Sequence, residues 1–147
     1  MHKQIYVNLP VKDLPRSMAF FKSLGYTFNA KFTNEQAACM ELGENLYVML
    51  LVEKFFEGFA KKPVSDATRQ TEVLLCVSCD SRHHVDKLVA LAMAAGAQQM
   101  EEPKDYGFMY SNSFHDLDGH AWEMMYMEPE AAGQAASAGS EKQGATV

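Results

Sequence analysis

Hydrophobic and polar positions along this chain follow one order twice. The stretch Ile5-Tyr6-Val7-Asn8-Leu9-Pro10-Val11 has the alternation of a strand, and the segment from Asp13 to Gly25 that follows it has the spacing of a helix. Asp13 is a suitable N-cap, Pro15 fits the first turn, and Gly25 fits the position just past the helix end. Leu14, Met18 and Phe21 then share one face. Strands are predicted near 27–32, 36–42 and 46–52. The second half begins with a strand over 72–77, takes Asp80 as a cap, and continues into a helix over 82–95 that Gly96 ends. Val85, Leu88, Val89 and Ala92 form its apolar face. Strands near 98–102, 108–114 and 120–127 complete the copy. Neither half can bury both its helix and its sheet alone, so the two are expected to pack together.

The predicted fold class is therefore α+β, built from tandem βαβββ modules whose mixed sheets curve around a cleft with the helices outside. A single domain is expected over 1–129, with modules at about 3–62 and 70–127. Between them, the segment 53–63 is aromatic on one side and charged on the other. It reads as a short helix, with Phe55, Phe56 and Phe59 either covering the cleft mouth or sealing the join between halves. The remainder, 130–147, is rich in Ala, Gly, Ser and Gln and has no aromatic residue, so it is expected to be a disordered tail.

Composition narrows the function classes. A chain of 147 residues with 48% hydrophobic content can build one core without disulfides. The formal net charge of -6 and the scattered basic residues argue against nucleic acid or an anionic membrane as a partner. No apolar run approaches the ~18 residues of a membrane span. Cys39, Cys76 and Cys79 cannot all pair within one chain, which suits a reducing, cytoplasmic location.

The densest chemistry lies in Ser113-Phe114-His115-Asp116-Leu117-Asp118-Gly119-His120-Ala121-Trp122-Glu123. Here an acidic-glycine turn joins two strands: Asp116 and Asp118 can bond nearby backbone, and Gly119 supplies positive φ. The hairpin fixes the direction of Glu123. Trp122 points the opposite way and is expected in the core, whereas His115 and His120 flank the turn and are expected at its surface. Alternation places Tyr6, Asn8 and Pro10 on one face, and Glu72, Leu74 and Cys76 on another. Tyr106, Phe108 and Tyr110 form an aromatic group suited to a ligand wall or to packing. Cys76-Val77-Ser78-Cys79 lacks the second ligand pair of a zinc site and is read as ordinary thiols.

The sequence resembles the vicinal oxygen chelate family, the glyoxalase, bleomycin-resistance and extradiol-dioxygenase group. The resemblance rests on Asn8-Leu9-Pro10-Val11-Lys12-Asp13-Leu14, the run from Ser17 to Phe21, Leu24-Gly25 and the hairpin from Ser113 to Glu123, and it spans about Lys3 to Met127. It implies two modules around a cleft, a homodimer, and in the family's enzymes a divalent metal held from the first and last strands of each module. The matching positions here are Tyr6, Met49, Glu72 and Glu123. Only Glu72 and Glu123 are good ligands for a hard divalent ion, so the expected cofactor is none, with a divalent metal as the alternative.

Three roles are open for the two carboxylates: metal ligands, a metal-free pair that handles a proton or a polar ligand, and structural groups paired or solvated. Within the resembled family the expected function is a glyoxalase-like, lactoylglutathione-lyase-like protein that acts on or binds a small molecule. In that reading Glu123 and Glu72 are the candidate catalytic residues, and Tyr6, Asn8, Met49, Tyr106, Phe108 and Tyr110 line the cleft. The alternative is metal-free capture of a small aromatic or cationic compound, as in bleomycin resistance.

Overall fold

The computed structural model describes residues 1–130. The expected tail falls outside the described residues beyond that point. The first module comprises β1 Ile5–Val11, α1 Leu14–Ser23, β2 Thr27–Asn29, a short 3-10 turn Ala30–Phe32, β3 Ala37–Gly43 and β4 Leu46–Val52. Helix α2, Glu53–Ala60, follows it. The second module comprises β5 Leu74–Ser78, α3 Arg82–Ala94, the two-residue strands β6 Gln98–Gln99 and β7 Lys104–Asp105, then β8 Met109–His115 and β9 Ala121–Met127. None of these helices is long and apolar enough to cross a membrane.

The helix boundaries have local causes. Asp13 accepts a hydrogen bond from the Arg16 amide at 3.1 Å, and Pro15 in the first turn has no amide hydrogen to satisfy. Gly25, at φ +101, turns the chain out of α1. The cap of α3 is Ser81, one residue later than expected. Its hydroxyl accepts from the His84 amide at 3.0 Å, whereas the Asp80 side chain is solvated.

Each module folds its strands into a mixed sheet of the same design. The first sheet has the order β1-β4-β3-β2, and the second has β5-β9-β8-β6 with β7 also on β8. In each, the first and last strands of the module run parallel and the remaining pairs run antiparallel. Val7, Leu9, Val11, Val48 and Leu50 face α1 from the first sheet; Leu75, Val77, Phe114, Trp122 and Met124 face α3 from the second.

The two helix-covered faces join in one core. Phe21 lies 5.3 Å from Trp122 and Phe20 lies 6.1 Å from Phe114, ring centre to ring centre, and α1 touches α3. The helices touch where the modules join, and they cover the sheet faces opposite those that carry the candidate residues. The modules gain by this because each apolar helix face finds the other as cover. Polar bonds close the join: Asp118 accepts from the Lys12 amide at 2.9 Å and from the Ser17 hydroxyl at 3.1 Å. Among the described residues the two sheets are not hydrogen-bonded to each other, and β1 and β5 are each an outermost strand.

Candidate functional site

The faces of both sheets that point away from the core carry the candidate residues. Register on the first sheet aligns Cys39, Met49 and Asn8 in one row across β3, β4 and β1. Register on the second aligns Ser113, Glu123 and Cys76 across β8, β9 and β5. Asn8 and Cys76 stand at corresponding places, each five residues before the cap of its helix. Met49 and Glu123 correspond in the same way, so the internal repeat sets a thioether and an amide in one module against a carboxylate and a thiol in the other.

The residue opposite Glu123 is therefore Cys76, a residue the sequence reading left as an ordinary thiol. Glu72 lies before the start of β5 and is exposed. Burial of the sulfur against the sheet is the largest cause that pushes the Cys76 thiol up to about 11, with the neighbouring Glu123 carboxylate second and the Cys79 thiol last. The thiol is protonated at neutral pH and lies beside Glu123, which is half-buried. The sequence showed that Glu72, Leu74 and Cys76 share a face. Placing the strand start at Glu72 hid which of them meets Glu123.

Tyr6 is half exposed and stacks on Tyr47, with ring centres 4.7 Å apart and planes 10° from parallel. Its hydroxyl donates to Gln4 Oε1 at 3.1 Å, and the Asn8 side-chain amide donates to the Tyr6 carbonyl at 3.1 Å. Tyr47 is the unforeseen half of this platform, and its pairing with Tyr6 follows from strand register alone. Met49 is half-buried beside Asn8.

In the second module, Tyr106 and Phe108 remain together, 6.3 Å apart, with Tyr106 exposed. Tyr110 does not join them. Alternation turns it to the helix side of β8, where its hydroxyl donates to Asp86 Oδ1 at 2.7 Å and the Arg82 guanidinium lies 5.4 Å from its ring. The bond to Asp86 is the main cause that raises its phenol to about 12. Tyr110 thus fastens β8 to α3, and its assignment to the ligand wall is corrected.

His120 also departs from the expected surface role. It is buried, and its Nε2–H donates to the Pro10 carbonyl at 2.7 Å, which ties the hairpin to β1. Asp116, buried as well, accepts from the amides of Asp118 and His120 and from the Trp122 indole.

The metal-binding reading can be tested on the donors present. Of the four positions the resemblance selects, Tyr6 offers a phenol committed to Gln4, Met49 a thioether, and Glu72 a carboxylate outside β5. Among the described residues there is no group of three or more His, Cys, Asp and Glu side chains placed to hold a metal ion. Glu123 beside a protonated thiol is a poor donor set for a hard divalent ion, and the residues do not fit that cofactor.

Residues 3–43 match the family model described as bleomycin resistance protein-like N-terminal. Among curated proteins, no sequence matches the chain. A hypothetical protein from S. aureus is 28% identical, with a TM-score of 0.73 over 86% of this chain and 94% of that one. A glyoxalase/bleomycin resistance protein/dioxygenase family enzyme from Burkholderia phytofirmans PsJN is 20% identical, with a TM-score of 0.71 over 83% and 96%. The fosfomycin resistance protein FosX from Listeria monocytogenes is 18% identical, with a TM-score of 0.62 over 88% and 97%.

Proposed function

We propose that this chain, which belongs by its fold and by the sequence of residues 3–43 to the glyoxalase and bleomycin-resistance group of the vicinal oxygen chelate family, binds a small aromatic compound bearing a cationic or hydroxyl group, without a metal. The observation that carries this reading is the Cys76–Glu123 pair. A carboxylate fixed on a strand beside a neutral thiol has a set direction toward a ligand, and the Tyr6–Tyr47 stack supplies an aromatic surface. A lactoylglutathione-lyase reaction is the less favoured reading. It abstracts a carbon-bound proton and calls for a Lewis acid to hold the resulting enediolate, which this donor set does not suit.

A homodimer is part of the proposal. Ile5, Tyr6, Leu46 and Leu74 are exposed large apolar residues at the outer strands β1 and β5 or next to them. Exposed strand edges of this kind invite pairing, and a second copy that covered them would bring the two residue rows into one enclosed site. A cytoplasmic location is proposed on the three unpaired thiols.

The test is calorimetric titration of a cationic phenanthridinium dye before and after dialysis against a chelator, with sedimentation to give the oligomeric state. Saturable binding that survives the chelator and weakens about tenfold in Glu123→Gln is the expected result. Turnover of a hemithioacetal that the chelator abolishes would replace this reading with the lyase.

A further inference from the structure

Two of the three arginines in this acidic chain line one cavity. Arg16 comes from the first turn of α1 and Arg69 from the segment between the modules, so they are far apart in sequence and the basic residues look scattered there. The cavity has a volume of about 510 Å³ and lies at the hairpin end of the second sheet, where Gln98 and His115 add further polar side chains to its wall. It is separate from the rows that carry Asn8 and Glu123.

The wall is held by specific contacts. Gly119, at φ +88, lets the 67–68 backbone approach so closely that a Cβ there would sit 2.7 Å from the Ala67 carbonyl oxygen. Asp66 accepts from both the amide and the hydroxyl of Thr68, and its own carbonyl accepts from the amides of Arg69 and Gln70. That turn sets the position of Arg69. On the other side, the Asp13 cap fixes the first turn of α1 and with it Arg16.

The acids near the cavity are already engaged. Asp116, which also lines it, is buried and accepts from two amides and the Trp122 indole; Asp66 is bonded to Thr68; Asp13 caps α1. Among the described residues, neither Arg16 nor Arg69 is within ion-pair distance of a carboxylate, in contrast to Arg82 on Asp105 at 2.8 Å. Two exposed arginines and a histidine at the wall of a polar cavity offer the fork geometry and charge that suit an oxyanion.

We infer that this cavity is an oxyanion-binding site for a small ligand bearing a phosphate or carboxylate group, held by Arg16 and Arg69 with His115 as an additional donor. The site is independent of the proposed binding at Glu123, and either can fail without the other.

Heteronuclear NMR of the full chain tests it, with inorganic phosphate and glutarate titrated separately at constant ionic strength and chloride as the control. Saturable shifts of the Gly96, Thr68 and Gly119 amides with phosphate, with glutarate or with both are the expected result, and the stronger of the two identifies the ligand class. Arg16→Ala and Arg69→Ala should each weaken binding about tenfold, while Lys54→Ala, which removes a charge on α2, leaves it unchanged. Shifts that do not saturate, that chloride reproduces, or that Lys54→Ala reduces as much as the arginine variants would overturn the inference. Arg69→Lys keeps the charge without the fork; a loss close to that of Arg69→Ala would show that geometry matters in addition to charge, and full retention would overturn the guanidinium's assigned part.

Discussion

Trp122 donates its indole N–H to Asp116 Oδ2 at 2.9 Å, with both side chains buried. The same carboxylate receives the amides of Asp118 and His120, so one acid organises the whole β8–β9 hairpin. Asp116→Ala would leave three donors without their acceptor. It should cost about 2–4 kcal/mol in urea unfolding, whereas Asp116→Asn, which keeps one acceptor oxygen for the indole, should cost less.

Burial raises the Asp116 carboxyl above its usual value, opposed by the nearby His120, the Trp122 indole and the two amides. A folded-state value above the unfolded one means that the folded protein holds the proton to higher pH. The contribution of Asp116 is then fully present below the unfolded value and is lost as pH rises through the folded one. Asp116→Asn has no such titration. Its stability deficit relative to the wild type should shrink as pH rises from the unfolded value of an aspartate through the folded one, as denaturation at a series of pH values would show. A deficit that grows across that window would contradict the buried assignment.

The repeat, both helices and Trp122 in the core were legible because each depends on local periodicity and caps. Strand alternation also gave the shared face of Glu72, Leu74 and Cys76. What the sequence could not supply was register between strands distant along the chain: Cys76 opposite Glu123, Tyr6 on Tyr47 and His120 on Pro10 are all set by pairings or contacts across the fold. Tyr110 was misplaced for a simpler reason. Its aromatic neighbours suggested a common wall, but Phe108 precedes β8 while Tyr110 obeys the alternation of the strand.

The Cys76 thiol, held at about 11 first by burial and then by the neighbouring Glu123 carboxylate, should react slowly with iodoacetamide at pH 8. Glu123→Gln removes that charge. The thiol should then titrate lower and alkylate several-fold to about tenfold faster, since one pKa unit changes the thiolate fraction tenfold. Peptide mass spectrometry separates Cys76 from Cys39 and Cys79. An unchanged Cys76 rate would show that the two side chains do not interact in solution.

Phe21 contacts Phe20, Tyr26 and Trp122, and so belongs to the part of the core that both modules share. Phe21→Ala should destabilise the chain by about 3–5 kcal/mol. Because the lost packing lies between modules, Trp122 fluorescence and far-UV circular dichroism should report one coincident, earlier transition in denaturant. Two separated transitions in the wild type would mean that the modules fold independently.

Gly119 connects the hairpin to the inter-module segment. Substitution by alanine meets two costs: a φ of +88 that alanine disfavours, and a Cβ within 2.7–2.8 Å of the Ala67 carbonyl and the Thr68 amide nitrogen. These neighbours are backbone atoms, so relief requires the 66–70 turn to move. We expect Gly119→Ala to lose about 2–3 kcal/mol of stability in urea and to expose the segment around Arg69 to limited proteolysis by trypsin. Cleavage after Arg69 at the wild-type rate, with stability retained, would mean that the turn does not rest on the hairpin, and the cavity between Arg16 and Arg69 would lose its wall.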